Sequence, residues 1–107
     1  MNLTDERYEE LMDRAMLDCY GEEEEFSGIF CTLEDELVFP LQATLIGVPV
    51  VVQGLDSKRS APHRGIVAVV ERDGRRFSAS LADLSFDTPD PTSAEWLEVY
   101  RRWITPF

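Results

Sequence analysis

Residues 22–41 read EEEEFSGIFCTLEDELVFPL, and the period of their apolar positions decides the architecture of the chain. Phe26, Ile29, Phe30, Leu33 and Leu37 recur at intervals of three and four, which lines one face of a helix. A strand through Ile29, Cys31 and Leu33 competes, because Gly28 and Thr32 are poor helix formers. Five matches to the helical stripe against three to the strand favour a helix over 22–37. Pro40 stops it, and Phe39, preceding a proline, is biased toward extended backbone.

Upstream, Tyr8, Leu11, Met12, Ala15, Met16, Cys19 and Tyr20 form a second helical stripe over 5–20. Thr4 is placed to cap it, and Asp5 and Glu6 suit the positive end of its dipole. Gly21 then leaves a one-residue connection, so 5–37 is expected to be a tight antiparallel helical hairpin.

Downstream the pattern shortens to strands. Phe39–Ile46 and Val48–Gln53 are β-rich and punctuated by Gly47 and Gly54. Leu55–Arg64 reads as a loop, and Ile66–Glu71 and Arg75–Leu81 flank the hairpin signal Asp73-Gly74. With a short turn at Leu81–Leu84, residues 38–85 are expected to form a small antiparallel sheet or barrel. Residues 86–93 read as a linker. Thr92-Ser93-Ala94-Glu95 is a capping box before a helix over 94–104, whose apolar face is Trp96, Leu97, Tyr100, Trp103 and Ile104. The expected fold class is α+β, as one domain over 1–107.

Charge narrows the function. The chain carries a net charge of −11, and 13 acids against Arg7 and Arg14 in residues 1–36 account for all of it. The remainder holds 8 acids and 8 bases. A segment this negative repels nucleic acid and anionic lipid, and it favours cations or a basic partner. The longest apolar run, 46–52, is far too short for a membrane span. The N-terminus shows no basic-then-apolar leader pattern, so a soluble, cytoplasmic protein is expected.

The acids fall in two groups. Glu22–Glu25 open the second helix, where negative charge complements the dipole, although four adjacent glutamates exceed that need. Glu34, Asp35 and Glu36 occupy its last turn, where the dipole disfavours them, and no lysine is nearby in sequence. Something positive is required there: a metal ion, or arginines such as Arg7, Arg72, Arg75 and Arg76. Carboxylate oxygens without imidazole or thiolate suit a hard dication such as calcium, which takes six to eight oxygens in flexible geometry. Glu24 and Asp35, eleven residues apart, lie about 16 Å apart along a helix. They therefore mark two places rather than one, and no EF-hand loop is present.

Other chemistry finds little support. Asp56 reads as a solvated turn and His63 as a surface-loop residue. No base stands near either cysteine, and no serine has a nucleophile-elbow context, so no enzyme is expected. Cys19 is expected as a buried thiol on the apolar face of the first helix. Hairpin register would put it more than a turn from Cys31, which disfavours a disulfide.

The order Asp18-Cys19-Tyr20-Gly21-Glu22-Glu23-Glu24, then Gly28, then Leu33-Glu34-Asp35-x-Leu37-x-Phe39-Pro40-Leu41-x-Ala43 resembles the small bacterial calcium-binding family of the CcbP type. Asp73-Gly74-Arg75 and the tail Trp96…Tyr100…Trp103 extend the resemblance over about 10–104. It implies a helical hairpin packed on a small SH3-like antiparallel β-barrel, calcium binding and no enzymatic activity. The acidic positions that match are Asp18, Glu22, Glu24, Glu34 and Asp35. Ile29-Phe30-Cys31-Thr32 departs from the family's more aromatic stretch, and the 43–52 connection is shorter. Two functions follow as expectations: an intracellular Ca2+ buffer or sensor, or an acidic module that docks on a basic protein partner without metal.

Overall fold

In the computed structural model, which describes residues 3–105, helix formation starts at the expected cap. The Thr4 hydroxyl accepts a hydrogen bond from the Arg7 backbone N–H at 3.1 Å and opens α1 (Asp5–Ala15). After a six-residue connection, 16–21, the acidic run opens α2 (Glu22–Glu36). The helical reading of 22–37 therefore prevails over the strand. Thr32 is accommodated because its hydroxyl donates to the Gly28 carbonyl one turn back, at 2.8 Å. The third helix, α3, spans Pro91–Ile104. These helices form one compact unit (residues up to 37 and from 91 onward), and Val38–Asp90 form a second.

The first helix stops five residues short of its expected end at Tyr20. The Met16 N–H closes the last turn on the Met12 carbonyl at 2.8 Å. Asp18 then turns left-handed at φ 60°, a conformation aspartate tolerates better than most residues. A Cβ on Gly28 would fall 2.5 Å from the Ala15 carbonyl oxygen and 2.9 Å from the Cys19 Sγ, so only glycine lets the end of α1 approach so closely. Tyr20, expected on the buried stripe, is 77% exposed. The tight one-residue hairpin is thus replaced by an open connection. Arg14 of α1 meets the C-terminal end of α2, with its Nη2 3.8 Å from Glu36 Oε1.

The C-terminal helix starts three residues earlier than the capping box implied. Pro91 is the first helical residue, a position where its missing N–H costs nothing and its fixed φ fits the helix. Glu95 does not cap; it pairs with Arg7 of α1. The core of this unit is Leu11, Ala15, Phe26, Ile29, Phe30, Leu33, Ser93, Trp96, Val99 and Tyr100. Each large apolar side chain so buried contributes roughly 1.5–3 kcal/mol.

The second unit is a five-stranded antiparallel sheet of β1 (Leu41–Leu45), β2 (Val48–Ala61), β3 (Gly65–Arg72), β4 (Arg75–Ser80) and β5 (Leu84–Phe86). Its order, β4-β3-β2-β1-β5, is open, not the closed SH3-like barrel of the expectation. The supposed loop 55–64 is largely strand, since Leu55 and Asp56 pair with Ala68 and Val67 before the register shifts toward Ala61. Its exposed polar run at 57–59 masked the alternation. Asp73-Gly74 makes the expected hairpin turn, with Arg72 opposite Arg75. β3 supplies the centre of this core with Ile66, Val67, Ala68 and Val70, and β2 adds Val50 and Val52.

Candidate metal centre

The site is built from one helix and the connection that leads into it. Glu22 and Glu24 sit in the first turn of α2, and Asp18 sits in the connection just before it. Gly21, at φ 88°, lets the chain turn sharply between them. The Glu24 Oε2 reaches back and accepts the Tyr20 backbone N–H at 3.1 Å, which ties the connection to the helix start. At the other end, Glu34 and Asp35 occupy the last turn of α2, where no basic residue stands. All five sequence-predicted residues are exposed. The structure brings Asp18, Glu22 and Glu24 to one end of α2 and Glu34 with Asp35 to the other, and it keeps the two ends apart.

Three of the four arginines proposed as internal partners, Arg7, Arg72 and Arg76, are occupied elsewhere. Arg7 donates its Nε and Nη2 to the Glu95 carboxylate at 2.8 and 2.9 Å and its Nη1 to Glu10 at 2.8 Å. That bond holds the Glu95 carboxyl below its ordinary value. Arg101 does the same to Glu98 within α3. Arg102 donates to Asp5 at 2.6 Å and to the Leu3 carbonyl at 3.0 Å, and its guanidinium stands 4.5 Å from the Tyr8 ring centroid. Burial raises the Tyr8 hydroxyl above its ordinary value, against the opposing charge of Arg102. In the sheet, Arg72 pairs with Asp73 and Arg76 with Glu71. Among the described residues, no ion pair reaches Asp18, Glu22, Glu24, Glu34 or Asp35.

The donor chemistry at both ends is hard carboxylate oxygen, which fits calcium and gives zinc or copper no imidazole. The geometry is not preassembled: among the described residues, no three His, Cys, Asp or Glu side chains stand close enough to enclose a metal ion. Asp56, the other candidate acid, is used locally. Its Oδ1 accepts the Lys58 and Arg59 backbone N–H groups at 3.0 and 3.1 Å, as an ordinary turn residue does. His63 lies exposed in the β2–β3 turn. No helix of the described residues is long and apolar enough to cross a membrane.

A mixed α+β fold with exposed acids that make no ion pair among the described residues at both ends of α2 defines the class, an acidic α+β protein. The family whose model matches residues 9–104 is the CcbP-type calcium-binding family, and the chain belongs to it. Two solved structures share the fold. The crystal structure of Anabaena CcbP is 21% identical over 96% of this chain and 93% of that one, with a TM-score of 0.84. A calcium-binding protein in its calcium-binding form is 20% identical over 95% of this chain and 92% of that one, with a TM-score of 0.81. No curated protein matches the chain by sequence.

Proposed function

We propose that the protein binds calcium ions through carboxylates at the two ends of α2: Asp18, Glu22 and Glu24 at its start, Glu34 and Asp35 at its end. Membership of a calcium-binding family supports the ion. The last turn of α2 carries the assignment of residues. Glu34 and Asp35 stand exposed at the negative end of the helix dipole, with no base on that turn. That arrangement is unfavourable by about 0.3–1 kcal/mol for each charge until a cation joins it. The last helical carbonyls lack intrahelical partners and add oxygens at the same end. Exposed side chains rotate freely to converge, and water completes the shell of six to eight oxygens. A bound dication supplies the positive charge that Glu34 and Asp35 lack. No step of this function needs a nucleophile or a general base, so the reading is a binding protein, an intracellular buffer or sensor, rather than an enzyme.

Calorimetry with calcium against magnesium tests it. Calcium should give saturable heat, and magnesium less, because its tighter octahedral shell dehydrates reluctantly. At a hundredfold excess over Kd, one calcium site adds about 2.7 kcal/mol and raises Tm by roughly 10 °C or more. Absence of both heat and Tm shift at millimolar calcium would overturn the proposal.

The exposure of all five carboxylates favours a second reading, in which this acidic surface docks on a basic protein without metal. That reading requires salt-sensitive binding that persists in chelator.

A further inference from the structure

The two cysteines, which hairpin register was expected to separate, border the same hollow. Cys19 lies in the 16–21 connection, and its Sγ rests 2.9 Å from where a Cβ of Gly28 would sit. Cys31 is three residues beyond Gly28 on α2, so it follows on the same helix face, where Cβ atoms three apart are about 5–6 Å from each other. Both line one open hollow of about 470 Å3, with Glu23, Glu24 and Ser27. Both are free thiols; Cys31 is exposed and Cys19 half-buried. The backbone around Cys19 belongs to neither helix and is flanked by Asp18 and Gly21, both at positive φ. A disulfide needs the two Cα atoms about 4.4–6.8 Å apart, so closure requires the 16–21 connection to carry the Cys19 sulfur along the hollow toward Cys31.

We propose that Cys19 and Cys31 form a dithiol that a small-molecule disulfide closes into an intramolecular bond. The exposed Cys31 thiolate attacks one sulfur of the reagent, forming a mixed disulfide and releasing one thiol. The Cys19 thiolate then attacks the Cys31 sulfur and expels the second thiol. The two protein thiols lose two electrons and two protons, and the reagent, reduced, leaves as two thiols. Glu23 and Glu24 make the hollow negative, so a cationic disulfide reacts faster than an anionic one, by a margin that salt reduces.

The test treats the reduced full-length chain with cystamine and, separately, with oxidised glutathione, and follows intact mass and peptide maps. The expected product has lost two hydrogens, contains a peptide linked through Cys19 and Cys31, and forms faster with cystamine. Cys19→Ser and Cys31→Ser should each stop at a single adduct. Closure should also be faster in the folded chain than in urea. A wild-type chain that stops at two adducts, links to a second copy, or closes no faster when folded would overturn the proposal. The readout is mass, so its failure is distinct from a failure to bind calcium.

Discussion

The seam between α1 and α3 and the two ends of α2 are made of the same acids and treat them in opposite ways. At the seam, Glu10 and Glu95 share Arg7 and Asp5 meets Arg102, and within α3 Glu98 meets Arg101. Along α2, Glu36 reaches Arg14 at 3.8 Å, and the acids flanking it at both helix ends have no such partner among the described residues. The sheet follows the pattern of the seam, with Asp56, Glu71 and Asp73 beside Arg59, Arg76 and Arg72. The acids that the calcium-binding proposal uses are not among the ion-paired ones, and Arg7, Arg72 and Arg76 are engaged elsewhere.

The largest change short of removing the ion comes from breaking the junction that carries the first carboxylate group. Gly28→Ala pushes a methyl against the Ala15 carbonyl and Cys19, and it should cost about 1–3 kcal/mol in thermal or urea unfolding. Displacing the 16–21 connection in this way should also weaken calcium at the Asp18 end while sparing the Glu34 end.

Neutralising the other end inverts the sign. Glu34→Gln with Asp35→Asn should stabilise the chain in chelator by about 0.3–1 kcal/mol per charge, because it removes acids from the negative end of a dipole. In saturating calcium the same pair should be less stable than the wild type. A crossing of the two melting series marks a ligand role; parallel series would mean that these acids only repel each other.

The sheet offers a control of similar size. Ile46 sits 93% exposed at φ 51°, where a β-branched residue is strained. Ile46→Asn should gain about 1 kcal/mol in unfolding and leave the calcium response unchanged.

The smallest effect belongs to the seam. Arg7 holds Glu95 below its ordinary value of 4.5, so the pair's contribution is present above that value and is lost as pH falls through the lower, folded value. Glu95→Gln should therefore flatten the acid limb of the stability profile below about pH 4.5, as followed by circular dichroism.

Much of this was readable from residue order. The stripe from Phe26 to Leu37, the Thr4 cap and the Asp73-Gly74 turn each rest on local rules, and each appears in the structure as expected. The failures come from contacts that local pattern does not carry. Gly28 reads as a poor helix former, yet its missing side chain is what lets the Ala15 carbonyl and Cys19 pack closely against α2. Glu95 reads as half of a capping box, but Arg7, distant in sequence, takes it. The polar stretch of β2 reads as loop because its exposed run at 57–59 hides a strand that β3 pairs. The acidic positions were visible as a charge anomaly and a motif order. That they lie exposed, without an internal cation, required the structure.

Carboxyl-resolved 13C NMR during a calcium titration tests the central claim most directly, because it reports each acid separately. The side-chain signals of Asp18, Glu22, Glu24, Glu34 and Asp35 should move and saturate in two groups, while those of Glu10, Glu95 and Glu98 stay in place. Uniform small drifts that salt reproduces, or movement confined to the arginine-paired acids, would contradict the account.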